Sequence, residues 1–528
     1  MFRSLASSLL TFVAVLLFAF TIIFLWSGSQ GIQFKRVAME GDRSTAQIIA
    51  EYAKKLAAST DVADNSSTDT DMTESQPAMS SGDGPPVVVW ISIPGFRGDY
   101  LEKSDTPFFD QLASEGDSTN KMRPSFPCLT FPAHATMATG VATSVHGIVA
   151  DRIKTADGVI EPMDSALLEA EPIWTTATRQ GIKTIVHDWP LSQNQTGENS
   201  AASFLESYDP DLSDEDRLNK ALEAWRLDSS GGAAAEPAAE GETGATEGEA
   251  MAAEGETGAT EGEAMAAEGE AEAEPAPAAG GSDERVRLVM LRLNDISRAG
   301  LTNGPREDAT YEAVAATDTA LKAFFDTIQA EWSTLAPPSA NLIFFVTTDH
   351  GLAELDKNVN IAHLLGDEMM ANAEIIAHDA VANLFFKDLP ESDGEKKIFI
   401  DKFDAELGKR IYFRTIKKDD IPETWSYLSP ERTGDRILVL KTGYAFAEEK
   451  ADEPVFDPSD GPGLYGGFGY PVEESIRMSG QVLLAGFPNS PTKGGMDEIS
   501  QLTFHATVCK LLDIEPAEGA STETLPVE

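Results

Sequence analysis

Long, almost unbroken apolar runs alternate along this chain with capped amphipathic stretches. "VVVWISI", Val87 to Ile93, predicts a strand buried on both faces. It is followed by "TPFFDQLASEG", in which Thr106 can cap, Pro107 can open and Gly116 can stop a helix. The same succession returns: helix over "PIWTTATRQG" and strand over "IKTIVHDW", then strand over "RVRLVMLRL", helix from Ala309 to Leu335, and strand over "NLIFFVTT". This order predicts an α/β fold with a doubly wound, mostly parallel sheet, whose functional sites collect where strands end. Pro94, Ser297 and Asp349 stand just past three of those ends.

Three stretches break the pattern. Leu9 to Trp26 is a run of 18 residues without a charge, long enough for a tilted transmembrane helix and longer than the ~7–15 apolar residues of a signal peptide. Residues 1–30 are therefore expected to be an N-terminal membrane anchor, with an uncleaved signal as the rival. Arg3 and the amino terminus lie on one side of the run and Lys35 and Arg36 some residues beyond its other end, so charge marks the orientation only weakly; the expectation is a body outside the cytoplasm, periplasmic or extracellular. Residues 31–85, polar and acidic, read as a disordered stalk. Within 229–284 the unit "AAEGETGATEGEAM" at Ala238 to Met251 repeats in tandem, glycine-rich and without an apolar stripe, so it reads as a disordered insert. The folded domain is expected over 86–516, with 517–528 a disordered tail.

Charge and cysteine content narrow the function classes. The formal net charge is −47, and outside the insert 72 acidic residues still face 40 basic ones. Such a surface repels phosphate backbones, so nucleic acid is excluded as a partner. Cys128 and Cys509 are the only cysteines, too few for a disulfide framework or a cysteine zinc site; whether they pair is open at this stage.

Candidate chemistry lies in "RPSFPCLTFPAH" and "VTTDHGL". Thr130, beside prolines and ahead of a helical run, can be a nucleophile or a helix cap. Asp349 and His350 follow a strand, where they can ligate a metal or stabilise a turn. Together with "ISIPGFRGDYL", "TGVATSVHGIV", "PIWTTATRQGIKTIVHDWP" and "GGFGYPVEESIRMSGQVLLAGFP", these stretches resemble the nucleotide pyrophosphatase/phosphodiesterase family of the alkaline phosphatase superfamily, over roughly Pro85 to Pro516 apart from the insert.

The resemblance implies a two-zinc site in which a threonine attacks phosphorus. Carried over residue by residue, Thr130 takes the nucleophile position, and Asp349 and His350 take two metal-ligand positions. Pro94, Ser297, Leu301 and Phe468 stand where the other four ligands would be, and Ala133 where a phosphate-contacting asparagine would be. Leucine and phenylalanine are apolar volume, not donors. The expectation is a membrane-anchored, catalytically degenerate phosphodiesterase-like protein acting as a binding or scaffolding module. It would hold at most one zinc, weakly, and its partner would be a phosphorylated small molecule or a protein. The alternative is an active metal-dependent phosphodiesterase using Thr130.

Overall fold

The apolar run Val87–Ser92 is the centre of an eight-stranded sheet. The order across the sheet is Ile499–Ser500, Asp117–Arg123, Gly480–Phe487, Leu342–Thr347, Val87–Ser92, Val286–Arg292, Lys183–His187 and Ser203–Phe204. Seven strands run one way; Gly480–Phe487 is antiparallel to both neighbours. The α/β, mostly parallel sheet is thus present, with one reversed strand that the sequence pattern did not announce. This computed structural model describes residues 82–156, 158–201, 203–204, 208–230, 285–447, 453–492 and 494–528. The expected anchor at Leu9 to Trp26, the stalk up to residue 81 and the repeat over 231–284 lie outside them. Among the described residues no helix is long and apolar enough to cross a membrane.

Strand geometry sends alternate side chains to opposite faces. Val87, Val89 and Ile91 pack under the helices Pro107–Glu115, Asp214–Ser229 and Asp308–Leu335, whose Phe108, Trp225 and Phe324 share their cluster. Val88 and Trp90 face the other way, into a cluster with Trp174, Trp189 and Phe504. Both faces are covered, which explains why the strands carry no polar alternation.

Three features were not legible in the sequence pattern. A second, four-stranded antiparallel sheet, ordered Ala373–His378, Val381–Phe386, Arg436–Leu440 and Phe413–Lys417, builds its own cluster, which also takes Leu129, Phe131 and Phe468. Residues 517–528 are not a loose tail: Leu525 and Val527 are buried in the cluster below the main sheet, and the Leu525 N–H donates to Thr507 Oγ1 at 2.9 Å. Cys128 and Cys509 are both free and buried, in two different clusters.

Candidate functional site

Register brings the strand ends level: Ser92 stands opposite both Arg292 and Thr347. The turn at Pro94, the helix Asp295–Asn303 and the Asp349–His350 pair therefore meet at one rim of the sheet. Gly95 turns there at φ +70°, and a Cβ on it would lie 2.8 Å from Leu352 Cδ1 and 3.5 Å from the Ser297 backbone. Glycine is required at that crossing. The Gly95 N–H donates to Asp349 Oδ1 at 3.2 Å, and the His350 N–H donates to the same oxygen at 2.6 Å. Asp349 thus pins the turn with one oxygen. Its other oxygen, Oδ2, is buried without a hydrogen-bond partner, 3.4 Å from His350 Nε2 and 3.8 Å from His134 Nδ1.

Thr130 is the first residue of the helix Thr130–Thr139, which is buried from Phe131 to Thr139 and stops at Gly140, φ +67°. Pro132 fits because the first turn has no intrahelical acceptor for its missing N–H. Thr130 does not cap this helix: the N-cap residue is Leu129, and the Phe131 N–H donates instead to Asp151 Oδ1 at 2.7 Å. The Thr130 hydroxyl lies 3.5 Å from His350 Nε2. The Gly351 carbonyl can only accept, so His350 Nδ1 donates to it at 2.8 Å, and Nε2 is the ring nitrogen that faces Thr130.

His134 sits under this group. Its Nδ1 donates to the Thr130 carbonyl at 2.8 Å, and Nε2 accepts from Ser92 Oγ at 2.9 Å. Burial pushes it down to about 4, so the ring is neutral at pH 7.

The positions lacking donors cluster as well. Phe468 is buried and stacks on His350, with ring centroids 4.5 Å apart and planes 14° from parallel. Leu301 and Phe468 share one apolar cluster and line one cavity. Asp295, two residues before Ser297, is engaged elsewhere: it accepts the Asp214 N–H at 3.1 Å and pairs with Arg298. Among the described residues no group of three or more His, Cys, Asp or Glu is arranged to hold a metal ion. Pro94, Leu301 and Phe468 offer no donor, so the residues at the six positions carried over from the resemblance do not fit a two-zinc centre.

A cavity of about 170 Å³ opens above Thr130 and Phe131, next to Asp151, Trp189, Arg292 and Phe468. Ala133 is fully buried in the helix and does not line it. The polar group that meets the helix start is Asp151. Sequence reading missed Asp151, Arg292 and Asp188, although the last two end buried strands, where sites collect. Asp188 is joined to Arg217 at 2.6 Å, and Arg217 and Arg292 each lie 5.1 Å from the Tyr208 ring.

Residues 88–465 match the family profile of the type I phosphodiesterase / nucleotide pyrophosphatase. The chain is 23% identical to human ectonucleotide pyrophosphatase/phosphodiesterase family member 5 over 445 residues, covering 81% of this chain and 74% of that one. It is 22% identical to family member 7 of Rattus norvegicus over 458 residues, 81% of this chain and 84% of that one. Among solved structures, an inactive variant of murine ectonucleotide pyrophosphatase/phosphodiesterase 5 in complex with AMP superposes with a TM-score of 0.60 at 21% identity, over 83% of this chain and 97% of that one. With a family profile spanning most of the folded region and the matching fold beneath it, the chain belongs to the type I phosphodiesterase/nucleotide pyrophosphatase family of the alkaline phosphatase superfamily.

Proposed function

We propose that this protein is a catalytically degenerate member of its family, a binding or scaffolding module held at a membrane with its body outside the cytoplasm. The observation that carries this reading is the Phe468 ring lying flat on His350 at 4.5 Å, in one apolar cluster with Leu301; the family resemblance would put metal donors at positions 468 and 301. Pro94 and Ser297 take away two further donors. A site of this kind cannot both activate an attacking oxygen and stabilise a leaving one. The names of the relatives, ectonucleotide enzymes, agree with a body outside the cell.

A second reading, a hydrolase using Thr130 with one metal on Asp349 and His350, draws on the 3.5 Å approach of the Thr130 hydroxyl to His350 and on the unpartnered Asp349 Oδ2. One pair of measurements separates the two. The purified protein is expected to bind less than one zinc per chain and to hydrolyse aryl phosphodiesters no faster than its Thr130→Ala variant. Two tightly bound zincs, or clear loss of turnover in the variant, would establish the hydrolase instead.

A further inference from the structure

The cavity that Leu301 and Phe468 line has a volume of about 340 Å³, and Leu355, Ala445, Phe446 and Leu464 extend its apolar wall. Four polar side chains reach the same lining. Two of them are at work elsewhere or in solvent: His378 Nδ1 stands 3.3 Å from Asp151 Oδ2, and Arg152 is exposed. The other two, Asn358 and Asp379, are not.

Asn358 is the middle residue of the strand Lys357–Val359 and is 1% exposed. Strand pairing sets it opposite Ala445, so both side chains share the face that lines the cavity. Its amide Nδ2 is buried without a hydrogen-bond partner. A buried donor left unmade costs stability, and native proteins keep few of them. Asp379 gives one oxygen to the fold: Oδ1 accepts the Phe468 N–H at 2.9 Å, and Oδ2 has no hydrogen-bond partner among the described residues. Burial, which the Phe468 N–H opposes, lifts this carboxyl to about 8, so below that pH it carries a proton to donate. The lining therefore offers two donors and no ionised group of its own beyond the rim.

We propose that this cavity is a binding site for a small uncharged molecule with an apolar body and a carbonyl oxygen, of the carboxamide kind, held by Asn358 Nδ2 and the Asp379 carboxyl. A carbonyl supplies the acceptor that both donors lack. An ammonium group brings no acceptor, and a carboxylate would have to leave water for a wall of leucine, alanine and phenylalanine. The site uses neither Thr130 nor the Asp349–His350 pair. It goes beyond the functional reading above and stands whether or not the chain hydrolyses phosphodiesters.

Titration calorimetry on the full-length protein at pH 6.5, with hexanamide, hexanoate and hexylammonium as probes, tests it. The wild type is expected to bind hexanamide and to bind neither charged probe measurably. Asn358→Leu keeps the bulk and removes the donor, so it should lose at least about tenfold in hexanamide affinity. Asp379→Asn keeps an oxygen for the Phe468 N–H and presents N–H in place of O–H; it should bind within about threefold of the wild type. Ala447→Trp fills the cavity from a half-buried position in its lining, should also lose hexanamide, and serves if Asn358→Leu does not fold. No binding of hexanamide by the wild type, a charged probe bound as tightly, or hexanamide affinity unchanged in both Asn358→Leu and Ala447→Trp overturns the proposal.

Discussion

Asp379 adopts φ +47° and turns its carboxyl onto the Phe468 N–H, which donates to Oδ1 at 2.9 Å. Burial lifts this carboxyl to about 8, the Phe468 N–H opposing and the Asp151 charge adding to the rise. An acid whose folded pKa lies above its unfolded one stabilises the fold fully at low pH and loses that contribution as pH climbs. Here the loss runs from about pH 4, where the unfolded aspartate ionises, to about 8. Asp379→Asn suits the left-handed backbone and keeps the acceptor oxygen, so it should match the wild type in thermal melts at pH 4 and melt higher at pH 8. Equal gaps at both pH values would show that the carboxyl is not held protonated. At this scale Phe468 and Leu301 were legible as apolar residues at positions where the family resemblance expects donors, and the structure places both in one apolar cluster. The sequence hid Asp379 and Asp151, whose roles arise from approaches between residues 89 and 20 positions apart.

The helix Asp214–Ser229 is fixed to the end of the Lys183–His187 strand by the pair Arg217–Asp188, with side chains 1% and 3% exposed. Burial raises the Asp188 carboxyl even though Arg217 beside it pulls the other way, so the pair is balanced between desolvation and attraction. Removing one partner strands a buried charge. Arg217→Met should cost about 3–5 kcal/mol in urea unfolding, and adding Asp188→Asn should recover a large part of it. Additive losses in the double variant would mean that the two side chains are not coupled.

Elements of this kind were legible where their period was clean. The central strands and the Asp308–Leu335 helix were read nearly to their ends. The second sheet was not, because its strands are short and their burial follows no single period: Ala373–His378 buries only its first and fourth residues, whereas Arg436–Leu440 is buried throughout.

Across the whole molecule, the reading of Leu9 to Trp26 as an anchor places the acidic stretch before Pro85 on the far side of the membrane from the cytoplasm. Protease added to the outer face of sealed membranes should cut that stretch; protection until the membranes are broken would reverse the orientation. The sheet order has a separate consequence for biosynthesis. Gly480–Phe487 is the slat between Asp117–Arg123 and Leu342–Thr347, and both of those leave the ribosome long before it does. Until then two strand edges stand open beside apolar faces, the surface on which chains pair with one another. A nascent chain stalled or truncated before Gly480 is therefore an aggregation hazard, and a chaperone that shields those edges has to stay until Gly480–Phe487 has emerged.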